Sequence, residues 1–95
     1  MEKSEIYSRA WAKWKDLQFV MVIEECSELI KAVTKHLRGK ITENLFEEAA
    51  DVEIMLEQIR ALSPEASLAI DKYKKMKLER LEKLVEGPVN PGTIG

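Results

Sequence analysis

From Phe19 to Leu37 apolar side chains return at steps of three and four: Phe19, Val22, Cys26, Leu29, Ile30, Val33 and Leu37. That spacing lines one side of a 3.6-residue helix and predicts a core-facing stripe. Leu45, Ala49, Val52, Leu56 and Ile59 form a second stripe, and Ile70, Tyr73, Leu81 and Leu84 a third. An aromatic run of Tyr7, Trp11 and Trp14 precedes them all. Cap residues and breakers separate the runs: Asp16, Arg38-Gly39, Thr42, Ser63-Pro64-Glu65 and Gly87-Pro88. The pattern predicts helices at about 4–15, 17–38, 43–62 and 64–86. The tail GPVNPGTIG, residues 87–95, is too rich in Gly and Pro for regular structure. No stretch alternates as a strand would, and there is no internal repeat. The expected fold is all-α, an antiparallel bundle of four helices within residues 1–86.

The polar positions complicate this simple picture. On the second helix Glu25 and Glu28 share their side with Met21 and Ala32. On the third, Glu48 and Asp51 border the stripe beside Met55 and Leu62. Phe46, Ala50 and Ile54 form an apolar strip on the other side of the third helix, which one layer of packing leaves uncovered. That strip predicts a homo-oligomer, a dimer or a dimer of dimers. On the fourth helix Lys77 and Arg80 fall inside the apolar stripe, where each must either face an anion or snorkel to water.

Size and charge narrow the possibilities further. A chain of 95 residues, 45% hydrophobic and 34% charged, is one small domain with a modest core. Fifteen Lys and Arg against seventeen Asp and Glu give a net charge of −2, so no basic excess invites nucleic acid. A single cysteine, Cys26, excludes an internal disulfide and reads as a small buried side chain. No signal peptide or apolar run near the roughly 20 residues of a membrane span is visible, so a cytoplasmic protein is expected. The lone histidine, His36, lies two turns beyond Glu28 and reads as solvent-facing.

Three pairs spaced by three residues stand out: Glu25 with Glu28, Glu48 with Asp51, and Lys77 with Arg80. Each pair shares a helix face. A short connection makes the second and third helices antiparallel neighbours, so four carboxylates can converge across the bundle. Such hard oxygen donors suit Mg²⁺, with Mn²⁺ as an alternative.

The order Glu24-Glu25-Cys26-Ser27-Glu28, nineteen intervening residues, then Glu48-Ala49-Ala50-Asp51 resembles the EExxE…ExxD signature of the MazG-like, all-α nucleoside triphosphate pyrophosphohydrolases. The likeness runs from about Trp14 to Arg80 and includes the stretch LFEEAADVEIMLEQI and a basic last helix. The resemblance implies hydrolysis of a nucleoside triphosphate to the monophosphate and pyrophosphate. It implies Glu25, Glu28, Glu48 and Asp51 as metal ligands and Glu24 as an auxiliary carboxylate. Lys77 and Arg80 would neutralise phosphate oxygens. For the base, Trp14 and Gln18, four apart, are the favoured pair, with Lys31 and Asn44 as further contacts. Tyr7 and Trp11 read more readily as core. Two alternatives stand beside this reading: an enzyme acting on phosphoribosyl-ATP, and a helical dimerisation or regulatory module without catalysis.

Overall fold

The computed structural model describes residues 1–39 and 43–87. It is all-α: α1 spans Lys3–Trp14, α2 Leu17–Leu37, α3 Glu43–Arg60 and α4 Pro64–Glu86, with no strand among the described residues. The predicted boundaries hold to within a residue or two, and the predicted caps hold unevenly. Ser63 Oγ accepts from the Ala66 backbone N–H at 3.0 Å, with Pro64 opening α4 behind it. Gly39 has φ of 76°, the left-handed conformation that ends a helix most cheaply in glycine. Asp16 precedes α2 but its side chain caps nothing. The turn is made by Lys15 instead, at φ 47°, so Asp16 is already in helical backbone geometry. Thr42 and residues 88–95 lie outside the described residues.

The helices pack in sequence order, with α2 against α3 the most extensive contact, α4 on α3, and α1 on α2. Two pairings fix the α2–α3 register. Gln18 meets Gln58, and seven residues on along α2 and back along α3, Glu25 meets Asp51. The helices are therefore antiparallel, and the same register sets Glu28 opposite Glu48 and Ala32 opposite Asn44. Ala32 is almost wholly buried, and its small side chain lets the two helices come close.

Burial differs from the stripe pattern. The buried apolar residues among those described are Tyr7, Ala10, Ala32 and Met55, joined by the amides of Gln18 and Gln58. On α2, the side carrying Gln18, Met21, Glu25 and Ala32 turns toward α3. The expected core stripe is consequently only partly covered: Cys26 is half-buried, while Ile30 is 67% and Leu37 80% exposed. On α3, Met55 and Gln58 are the most deeply buried residues, and Leu56 is half exposed. No residue of α4 is buried, and Lys77 and Arg80 lie on exposed surface rather than facing inward. Phe46 and Ile54 stay exposed, as the strip they share with Ala50 requires.

Polar ties hold the outer helices. Tyr7 Oη donates to Glu57 Oε2 at 2.5 Å, and Lys3 Nζ lies 3.2 Å from the same carboxylate. Trp11 Nε1 donates to the Gln58 carbonyl at 2.7 Å while its ring tilts against Phe19, with centroids 5.2 Å apart. Both aromatics are thus structural, as their spacing suggested. Arg60 anchors α4 through Ser67 Oγ at 3.2 Å and Asp71 at 2.7 Å.

The Tyr7–Glu57 tie has a defined pH window. The hydrogen bond to Glu57 and burial push the Tyr7 hydroxyl from 10.0 up to about 12. The hydrogen bonds from Tyr7 and Lys3 hold Glu57 below its ordinary 4.5. The tyrosine contribution is complete below pH 10.0 and lost as pH rises through about 12. The glutamate contribution is complete above 4.5 and lost as pH falls through the lowered value. Tyr7→Phe is therefore expected to lower the melting temperature by a few degrees at pH 7. Differential scanning calorimetry should show that deficit shrinking at either end of the window.

Candidate metal centre

The acidic group is built by the α2–α3 register. Oxygens of Glu25, Glu48 and Asp51, one from each, all lie within 4.8 Å of one another. All three residues are half-buried. Glu48 and Asp51 stand one turn apart on α3, and Glu25 faces them from α2, so two helix backbones hold the carboxylates together. Burial pushes the Glu25 carboxyl above its ordinary 4.5, and the neighbouring charges of Asp51 and Glu48 push it the same way. Glu25 holds its proton more readily than an isolated glutamate does, and a divalent cation would supply the same compensation.

Glu28, the fourth predicted ligand, is not part of this group. It is exposed and its Oε1 sits 3.3 Å from Lys31 Nζ, an ion pair one turn along the same helix. Exposed pairs of this kind are worth little. Glu28 nevertheless stands opposite Glu48 in the register, one turn from Glu25. Glu24 is exposed and is not part of the group.

The residues predicted for base contacts do not gather. Trp14 is partly exposed at the end of α1, with Lys13 Nζ 5.2 Å from its ring centroid, beside a hollow of about 170 Å³ lined by Met1, Ile6, Arg9 and Ala10. Gln18 is 0% exposed, with its amide committed to Gln58. The two therefore do not form one open surface for a ligand. Asn44 is half-buried at the start of α3, and Lys31 is taken up by Glu28.

One cleft among the described residues was not foreseen. It measures about 570 Å³ where α1, the end of α3 and the start of α4 meet, lined by Ser4, Ser8, Trp11, Arg60, Ser63 and Ser67 among others. The serines recur at steps of four on α1 and on the α4 start, a spacing visible in the sequence but uninformative without knowing which helices meet. Arg60 is nine residues beyond Asp51, roughly 13 Å along the helix, so this cleft is separate from the carboxylates.

No family model, curated protein or solved structure matches the chain. No helix among the described residues is long and apolar enough to cross a membrane.

Proposed function

We propose that the chain is a divalent-metal-dependent nucleoside triphosphate pyrophosphohydrolase, releasing pyrophosphate and a nucleoside monophosphate. The observation that carries this reading is the convergence of Glu25, Glu48 and Asp51 from adjacent antiparallel helices, three of the four carboxylates that the resemblance implies as metal ligands. Hydrolysis between the α- and β-phosphorus asks chiefly for positioning and for neutralising charge on oxygen. The donor set suits Mg²⁺ or Mn²⁺, being all carboxylate oxygen, half-buried and held by backbone on both sides.

A bound divalent ion would offset phosphate charge and lower the pKa of a water ligand. The chain's own part is to hold that ion with Glu25, Glu48 and Asp51. Glu28 would be a fourth ligand on giving up its weak pair with Lys31, which would then be a nearby cation for an anionic substrate. Without an ion the carboxylates repel a tetra-anionic substrate, so metal enters with it or before it. Lys77 and Arg80 on α4 supply further positive charge. Their exposed position supports a role in drawing the substrate in rather than in gripping it inside a closed bundle.

The test is pyrophosphate release from a panel of ribo-, deoxyribo- and modified nucleoside triphosphates with Mg²⁺. At least one substrate is expected to turn over, with Glu48→Gln about 10²-fold slower or worse. Release equal in wild type and Glu48→Gln for every triphosphate would sink the proposal. Mg²⁺ binding without turnover would mark a non-catalytic module instead.

A further inference from the structure

The cleft where α1, the end of α3 and the start of α4 meet is lined by chemistry of another kind than the carboxylate group. At about 570 Å³ it falls within the size range of small-molecule sites. Ser4, Ser8 and Trp11 enter it from one side of α1, at steps of four and three, and Ser63 and Ser67 enter it from α4. Arg60 is the one charged residue in its wall. Four hydroxyls, one indole and one guanidinium thus share a hollow into which no carboxylate intrudes.

Each of these groups is set in place by the fold. Arg60 Nη1 is held by Ser67 Oγ at 3.2 Å and by Asp71 Oδ1 at 2.7 Å. That anchorage fixes the plane of the guanidinium, and the N–H donors on Nε and Nη2 are left over from it. Asp71 and Glu65 both lie outside the lining, the first offsetting part of the arginine charge. The wall is therefore matched to a single oxyanion rather than to a polyphosphate chain. The start of α4 favours the same sign, and Ser63 Oγ accepts the Ala66 N–H while keeping its own proton to donate. Trp11 is pinned by its bond to the Gln58 carbonyl and backed by Phe19. An indole face is electron-rich and attracts C–H bonds made positive by neighbouring oxygens. Ser27 and Thr34 turn their hydroxyls back to the carbonyl four residues earlier, at 3.2 and 2.9 Å. Among the described residues Ser4 and Ser8 make no such bond, so both hydroxyls are open to a ligand in the cleft.

We propose that this cleft binds the phosphate monoester of a small sugar. The phosphate takes the remaining donors of Arg60 and the hydroxyls at the start of α4. The sugar hydroxyls exchange hydrogen bonds with Ser4 and Ser8, and the C–H face of the sugar lies on Trp11. A hydrocarbon ligand would strand the hydroxyls, and an amine would meet a cation with no carboxylate to balance it. The carboxylate group stands roughly 13 Å away along α3, and the proposal is independent of what that group does.

The chain has two tryptophans, so Trp14→Phe leaves Trp11 as the sole indole fluorophore. In that background, with EDTA present to keep metal off the carboxylates, ribose 5-phosphate and glucose 6-phosphate are titrated by fluorescence and by calorimetry. Saturable one-to-one binding is expected for at least one of them, with inorganic phosphate and the free sugar each at least about tenfold weaker. Ser8→Leu, at an exposed position of α1, should weaken binding at least about tenfold while the melting temperature stays close to that of its parent. Arg60→Lys keeps the charge but loses the planar fork, and should weaken binding by a similar factor. No saturable binding of either sugar phosphate, equal binding of inorganic phosphate alone, or binding unchanged in either variant would overturn the proposal.

Discussion

Asp51→Asn is expected to raise the melting temperature of the metal-free protein and to abolish the rise that Mg²⁺ gives the wild type. Both halves follow from the same 4.8 Å cluster. Burial, then Asp51 and Glu48, raise the proton affinity of Glu25. A carboxyl whose folded-state pKa is raised contributes stability that is full below its unfolded value, near 4.5, and is lost as pH climbs through the raised one. At neutral pH the metal-free cluster is thus a net cost to folding, and deleting one charge relieves part of it. In wild type a bound divalent ion would do the relieving, and by binding only the folded chain it would stabilise by about 2.7 kcal/mol at a hundredfold excess over Kd. For a domain of this size that is roughly 10 °C or more. The measurement is a pair of thermal melts, with and without Mg²⁺, at pH 7 and again well below the carboxylate range. In acid the advantage of Asp51→Asn should vanish, since the cluster is then protonated in both proteins. A variant that melts below wild type without metal, yet still rises with Mg²⁺, would remove Asp51 from any metal site.

Helix positions and the carboxylate cluster were legible in the sequence, while the direction each helix faces was not. Ser63-Pro64 and Gly39 act through backbone geometry next to them, so their meaning is local. Glu25, Glu48 and Asp51 are held close by backbone register, and once α2 and α3 are antiparallel their meeting follows. Glu28 obeys the same register but has a competing partner, Lys31, three residues away. Spacing alone does not say which contact a flexible glutamate takes. The stripe of α2 misled for another reason. Its apolar arc is wide enough to serve two neighbours, and periodicity gives the arc without saying which half meets α3. The inner half holds Gln18, Met21 and Ala32, the outer half Ile23 and Ile30. A glutamine at the centre of a helix contact is invisible to a hydrophobic pattern, because what satisfies it lies forty residues away.

That buried pair yields the largest expected effect on stability. Gln18 Nε2 donates to Gln58 Oε1, Gln58 Nε2 reaches Met55 Sδ at 3.3 Å, and Gln18 Oε1 is buried with no hydrogen-bond partner. Gln58→Leu should be the worst single change, because it leaves the whole Gln18 amide, 0% exposed, without a partner. A stranded buried amide costs about 1–3 kcal/mol, roughly 5–20 °C for a domain of this length. Gln18→Leu should cost less, since it also removes an oxygen that is already unsatisfied. The double variant, which takes both amides out of the interior, should melt close to wild type or above it, because two apolar groups of similar shape need no partner. The resulting double-mutant cycle has a large coupling energy with the sign of mutual rescue. Simple addition of the two losses would mean that the amides do not depend on each other. It would also mean that the register linking Gln18–Gln58 to Glu25–Asp51 has been drawn through the wrong residues. Mutual rescue would tie the helix contact to the carboxylate cluster two turns away, since the same α2–α3 alignment makes both.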